Sequence, residues 1–348
     1  LLLRGRQPGT VEAVVSELTA VQAQEHPYAR WSVAQRCAAG GSLAPAVDRA
    51  FDDGRILRTH ILRPTWHYVA PTDLRWLTRL SGPRLASSAT KRFTDLGLDR
   101  KTLARSTDLI AGAVSGGPRT RHELAAGMTD AGIAVVGQRL PHILMNAEIN
   151  AAVTSGPMRG KQHTYAAFDD RVPAATGPEG EEALSLLAWR YFSTRGPATV
   201  KDFGWWAGLK AAEARMGLDT VSSRLESCEY DGRILWFVDN ESPATTQPQV
   251  DLIQCFDELI LSYSESRDVL HTVQVSFRTP LNLDGYRHVL VLDGRLVGHW
   301  RVTGAGRRTS VEARPARELD PSEQTLVSEA VERYRQFAQS TSASSRSI

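Results

Sequence analysis

At 348 residues and 42% hydrophobic, the chain is long enough for two to four compact units with buried cores. Its net charge of +2 gives no signature of nucleic-acid binding, and no apolar run reaches the length of a membrane span. Cys37, Cys228 and Cys255 stand alone, without a CxxC pair or a histidine at ligand spacing, so neither zinc nor an iron–sulfur cluster is expected and a reducing cytoplasm is.

Leu1 to Leu3 is too short for a signal-peptide core, and a leucine start points to further residues upstream. The first informative segment is LTAVQAQEHPYARW, which carries Gln22 and Gln24. Carboxamides at i and i+2 lie on nearly opposite sides of a helix, so they converge only where the helix gives way. Pro27 biases His26 towards extended geometry, and a helix through Ser16 to Leu18 is expected to break before it. A glutamine is neither a useful base nor a nucleophile. It offers one acceptor and two donors in a plane, enough to hold a water. The plainer reading of QAQ is a polar helix end.

Tyr28 to Cys37 and Ala44 to Asp53 read as two helices, and Arg55 to Ala70 as a pair of strands, which together give a winged helix-turn-helix pattern over 1–90. A second unit, 91–175, runs from a helix at Leu103 to Val114 through a capping box at Thr120 and Glu123. It continues with a candidate recognition helix, Leu140 to Ala152, and the wing TSGPMRGKQHTYAAF. The third, 176–245, repeats the order, with Thr199 and Asp202 opening a short helix. Lys210 to Met216 follows, extendable through Thr220 to Ser227, and then the strand ILWFV. GGPRT and RGPAT hold equivalent places in successive units. After a linker from Ser242 to Gln249, a β-rich subdomain over 246–339 contains an Asp-Gly hairpin in VLVLDGRLVGHWRV and a final helix from Pro321 to Gln339. The serine-rich tail, 340–348, is expected to be disordered. The fold class is α+β: three tandem winged helix-turn-helix units with a C-terminal β-rich subdomain.

Basic residues are overwhelmingly arginine, with lysine at 91, 101, 161, 201 and 210 only. Arginine suits bidentate phosphate contacts, but a GC-rich genome produces the same bias. Arg58, His60 and Arg63 alternate along the first wing, so one face could meet phosphate while the other packs. Arg159, Lys161 and His163 repeat that spacing in the second wing, and Arg307 and Arg308 sit near a glycine-rich tip. Solvated wing residues are the competing reading. Trp66 reads as core; Thr65 could orient His67, which is either a contact to base, phosphate or water or a core histidine. Trp205 and Trp206 read as packing between helices, and Asp257 and Glu258 as adjacent carboxylates that need not share a cleft.

VQAQ followed by RTHILRPTWHYV resembles the winged-helix DNA glycosylases that unhook interstrand crosslinks, the AlkZ/YcaQ-like family, and LLAWRYFSTRGPATVKDFGWWAGL and CFDELILSYSESRDVL extend the likeness over most of the chain. Gln22, Ala23 and Gln24 match its glutamine–glutamine branch rather than its glutamine–aspartate branch.

That resemblance implies hydrolysis of the N-glycosidic bond of N7-alkylguanine, crosslinked guanine included, in double-stranded DNA. Gln22 and Gln24 would position water and stabilise the cationic sugar, with Thr65, His67 and His60 as support. Neither a cofactor, a metal nor an obligate protein partner is implied. The setting implied is a bacterial cytoplasm, at the nucleoid, and the role self-resistance to a crosslinking natural product such as azinomycin B. The alternative is a tandem winged-helix DNA-binding regulator without catalysis, which would expose its second helices to the major groove.

Overall fold

The computed structural model describes residues 1–5, 7–38, 43–175, 177–239, 247–270, 288–304 and 308–344. Its first helix, α1 (Val11–Leu18), is capped by Thr10, whose hydroxyl accepts from Ala13 N–H at 3.2 Å, and buries Val11, Val14, Val15 and Leu18 on one face. It ends at Thr19, where φ is 65° and ψ −47° and Ala20 N–H donates back to Leu18 O at 2.6 Å. This is a γ-turn centred on a β-branched residue, a strained conformation. The chain therefore leaves the helix five residues before Gln24. Pro27 does not supply the break; it sits in the first turn of the next helix, where its missing N–H costs nothing.

From there β1 (Val21–Gln22), α2 (His26–Ala34), α3 (Leu43–Asp52), β2 (Leu57–His60) and β3 (Trp66–Val69) follow, and the strands pair antiparallel in the order β1-β3-β2. Strand alternation gives this small sheet two faces. Val21 and Tyr68 enter a core shared with α1, α2 and α3, together with Leu252, Trp300 and Phe337 from the C-terminal region. Leu57 and Val69 enter a second core with Tyr191, Phe203 and Trp206.

The next group is α4 (Pro71–Asp95), α5 (Arg100–Val114), β4 (Arg119–Thr120), α6 (Arg121–Asp130), α7 (Arg139–Ile149), β5 (Val153–Ser155), β6 (Thr164–Ala167) and α8 (Phe168–Arg171), with strand order β4-β6-β5. The expected capping box is present: Glu123 N–H donates to the Thr120 hydroxyl at 3.2 Å and Thr120 N–H to the Glu123 carboxylate at 2.7 Å. The helix expected to end at Ala152 stops at Ile149, because Asn150 and Ala151 turn the chain into β5, Ala151 with φ at 56°.

A third group holds α9 (Gly180–Arg195), α10 (Val200–Ala207), α11 (Ala211–Val221), β7 (Glu226–Tyr230) and β8 (Arg233–Phe237), and Ala198 bridges to Trp236 beside the hairpin. Thr199 and Asp202 form the second capping box. A single helix, α11, spans the region read as one helix with an extension, and Glu226 and Ser227 belong to a strand, not a helix.

Finally β9 (Val250–Ile253), α12 (Glu258–Leu261), β10 (His288–Leu292), β11 (Arg295–Thr303), β12 (Ser310–Pro315) and α13 (Pro321–Ser344) complete the chain. The four strands pair as β12-β11-β10-β9, and the Asp-Gly turn has φ of 46° at Asp293 and 78° at Gly294, as a two-residue hairpin requires. α13 runs to Ser344, past the expected end at Gln339; residues 242–246 of the linker and 345–348 of the tail lie outside the described residues. The architecture is mixed α+β, with small antiparallel sheets set among helices and one four-stranded C-terminal sheet.

Candidate active site

Gln22 lies in β1 directly opposite His67 of β3, which is in turn opposite Thr59 of β2. The three share one sheet face, the one turned towards α9 and α10. Gln22 is only 4% exposed. Its side-chain carbonyl accepts from Arg63 Nη2 at 3.0 Å, and Arg63 Nη1 donates to Leu261 O at 3.1 Å. Gln24, beyond the end of β1, is exposed.

Arg63 reaches Gln22 because the β2–β3 connection is folded tightly. Leu62 has φ at 60° with Arg63 N–H donating to Ile61 O at 2.6 Å, and Thr65 N–H then donates to Arg63 O at 2.7 Å. A second γ-turn thus follows β2, as the first precedes β1.

His67 is fully buried. Its Nδ1 lies 2.9 Å from Thr65 O, and since a carbonyl only accepts, the ring proton sits on Nδ1 and Nε2 keeps a lone pair. Burial, reinforced by Arg63, pushes its pKa down to about 3, so the imidazole is neutral. The Thr65 backbone, not its hydroxyl, orients the ring. The Thr65 hydroxyl, His67 Nε2 and Arg63 Nε have no hydrogen-bond partner in the protein.

Behind this row stands Glu258, which sequence reasoning set aside. One carboxylate oxygen accepts from Gln22 N–H at 2.8 Å; the other accepts from Arg195 at 2.8 Å, Trp206 Nε1 at 2.9 Å and the Ser262 hydroxyl at 3.0 Å. Burial alone would raise its pKa, but Arg195 and Arg63 outweigh that and hold it at about 2. Glu258 is therefore a fixed anion with its lone pairs in use, unsuited to general-base work. Asp257 points elsewhere, to a buried two-pronged pair with Arg36 at 2.5 and 2.9 Å. The local signal at Asp257 and Glu258 was only an Asp-Glu pair; Arg36, the partner of Asp257, and Gln22, the partner that ties Glu258 to the site, are 221 and 236 residues away.

Other candidate residues lie apart from Gln22. Arg58 and His60 occupy the opposite face of the first sheet, and Arg63 lies beyond the strand, so the expected alternation of the three does not exist. Arg58 donates to Ala23 O at 2.9 Å and Gln24 O at 3.4 Å and lies 4.3 Å from the Trp66 ring centroid. It braces the glutamine segment from below. His60 Nδ1 is hydrogen-bonded to Glu148 of α7, which also accepts from Trp66 Nε1 at 3.4 Å; Trp66 is half-buried between sheet and helix.

In the second wing, Arg159 pairs with Glu123 at 2.8 Å, and His163 packs on His26 with ring centroids 4.6 Å apart. Lys161 is exposed between them. The three do not form one cationic face. Arg308 is exposed, and Arg307 lies outside the described residues. Trp206 is buried as expected, but Trp205 is 49% exposed, a correction that follows from their placement about 100° apart around α10.

The arrangement is a neutral amide, oriented by a guanidinium and backed by a neutral imidazole and a buried anion, on a rigid strand. It belongs to a DNA-repair class: the chain is a member of the AlkZ-like DNA glycosylase family, matching the description DNA glycosylase AlkZ-like over residues 15–337. Among solved structures it is similar to Streptomyces sahachiroi DNA glycosylase AlkZ, with a TM-score of 0.73 and 22% identity over 97% of this chain and 93% of that one. The likeness is one of fold. A search of curated proteins gave no match. Among the described residues no helix is long and apolar enough to cross a membrane.

Proposed function

We propose that this protein is a monofunctional DNA glycosylase that hydrolyses the N-glycosidic bond of N7-alkylguanine in double-stranded DNA and unhooks interstrand crosslinks. The observation that carries this reading is the row of Gln22, His67 and Arg63: a polar site whose nearest carboxylate, Glu258, is fully engaged by donors. Such a site can orient water and stabilise charge, and among the described residues it offers no free acid to protonate a departing base. It suits a leaving group that is already cationic.

In this reading Gln22 and Gln24 hold the attacking water and stabilise the cationic sugar. Hydrolysis consumes that water: its oxygen bonds to the anomeric carbon, the C–N bond breaks with its electron pair passing to the base, which leaves as neutral N7-alkylguanine, and the remaining proton of the attacking water passes to solvent. His67 and Thr65 fix the strand, and no step is assigned to a lysine or a metal.

We read the three groups as winged helices, over 1–90, 91–175 and 176–245, with a β-rich subdomain at 246–339; the first two run helix–strand–helix–helix–strand–strand, and in the third the single Ala198–Trp236 bridge stands in place of the first strand. In this reading the substrate lies in an open groove between them, which would admit a base tethered to both strands better than a closed flipping pocket. Self-resistance to an azinomycin-type crosslinker is the biological role proposed.

The regulator reading requires exposed second helices. Between its ends α3 exposes Arg49 alone and α7 exposes no residue, which favours the glycosylase in the first two groups, whereas α11 of the third exposes Arg215, Met216, Asp219 and Thr220. Release of 7-methylguanine from methylated duplex DNA by the purified protein, with an intact backbone until heat or base is applied, is the expected result. No release, with binding to undamaged DNA retained, would leave the regulator.

A further inference from the structure

We infer that Trp205 is a stacking surface for a nucleobase at the rim of the Gln22 site, an inference that rests on the DNA-glycosylase reading. Among the described residues the exposed large hydrophobic side chains are Val136, Trp205, Met216, Tyr230, Ile234 and Val269, and of these Trp205 is the one tied to the glutamine strand. The Arg63 guanidinium carbon is 5.9 Å from its ring centroid, and the same guanidinium donates to the Gln22 carbonyl at 3.0 Å.

The position is rigid. Trp206, the next residue, anchors α10 inward by donating to Glu258 at 2.9 Å, so α10 and Gln22 hang on one carboxylate. Gly208, which ends α10 with φ at 64°, lies so close to the first wing that a Cβ there would sit 2.2 Å from Leu62 O. α10 is thus wedged against the γ-turn that delivers Arg63.

The surroundings match a nucleic acid. Trp205 shares its face of α10 with Lys201 at i−4, so a cation lies one turn from this indole. Lys201 is also paired with Glu265 at 2.6 Å, but its side chain is exposed. An exposed indole beside a guanidinium, with a lysine one turn away, is the composition that stacks bases and tracks a backbone. A base tethered to the opposite strand cannot withdraw far from the duplex, so a fixed ring at the rim supplies the π-face that a closed pocket would otherwise provide.

The test is binding of the full-length protein to a duplex with one abasic-site analogue and to its undamaged counterpart, followed by anisotropy across a salt series. Trp205→Ala is expected to weaken binding to the damaged duplex roughly 5- to 150-fold, the effect of removing one stacked aromatic, with the salt slope unchanged because no phosphate contact is lost. Trp205→Phe is expected to restore most of that affinity and Trp205→Leu little of it. Unchanged binding by Trp205→Ala, equal rescue by leucine, or no binding of the wild-type protein to either duplex overturns the inference. Because the readout is affinity, the two readings separate: a wild-type protein that binds through Trp205 but releases no 7-methylguanine defeats the glycosylase and leaves the stacking site.

Discussion

The backbone N–H of Gln22 donates to the carboxylate of Glu258 at 2.8 Å, joining residues 236 positions apart. Through that carboxylate the glutamine strand is also connected to Arg195 and Trp206, so three parts of the chain fix one peptide group.

Replacing Glu258 should therefore be costly in two ways. Glu258→Gln leaves Arg195 buried without its counter-charge, a loss of about 3–5 kcal/mol. A urea or thermal melt is expected to show it, together with slower base excision. Glu258 is held at about 2, below an unfolded carboxyl near 4.5, so the stability it contributes is complete above pH 4.5 and lost as pH falls towards 2. Within that window the variant's stability should vary less with pH than that of the wild type.

The two glutamines should behave differently on stability and alike on rate. Gln24 is exposed, so Gln24→Ala is expected to melt as the wild type does; Gln22→Ala strands a guanidinium donor and should be destabilised by about 1 kcal/mol or more. Each should slow release of 7-methylguanine by roughly 10²–10³, the usual effect of deleting one positioned polar group. Single-turnover assays check this, and unaltered rates in the double variant would contradict it.

Acid should loosen the fold before the carboxylates respond. Burial pushes His67 down to about 3 and His163 down to about 4, and His26 is also well below its ordinary value. The unfolded chain thus binds protons at these positions from pH 6.5 downwards while the folded chain does not, and stability should fall from pH 6.5 towards 4. Melting temperatures across that range are expected to drop, and His163→Gln should reduce the drop. The excision rate should show no histidine inflection between pH 6 and 8.

Lys161 and Arg58 should separate phosphate contact from scaffolding. Lys161→Ala is expected to weaken binding to damaged and undamaged duplex alike and to reduce the salt slope by about 1. Arg58 is folded against the Ala23 and Gln24 carbonyls, so Arg58→Ala should lower the melting temperature and the excision rate while leaving that slope unchanged.

Much of the local structure was legible because its causes are local. The valine and leucine spacing of α1, the Thr120 and Thr199 capping boxes and the Asp293-Gly294 turn each carry their own signal. A helix break ahead of Pro27 was expected, but Pro27 was the wrong cause, since a γ-turn at a threonine leaves no mark in composition. Spacing also misled at Arg58, His60 and Arg63, because alternation holds only while a strand lasts and β2 ends at His60. Glu258 could not be read at all: its role comes from Gln22, Arg195 and Trp206, and nothing in CFDELIL announces distant partners.

The Gln22–Glu258 bond also orders events during synthesis. Gln22 leaves the ribosome early, whereas Glu258 follows after 236 more residues. An N-terminal fragment, whether nascent or released by a premature stop, carries both glutamines but lacks the carboxylate that holds the strand. Under the proposed function, the strand that carries both glutamines is thereby left without its anchor until Glu258 has been synthesised.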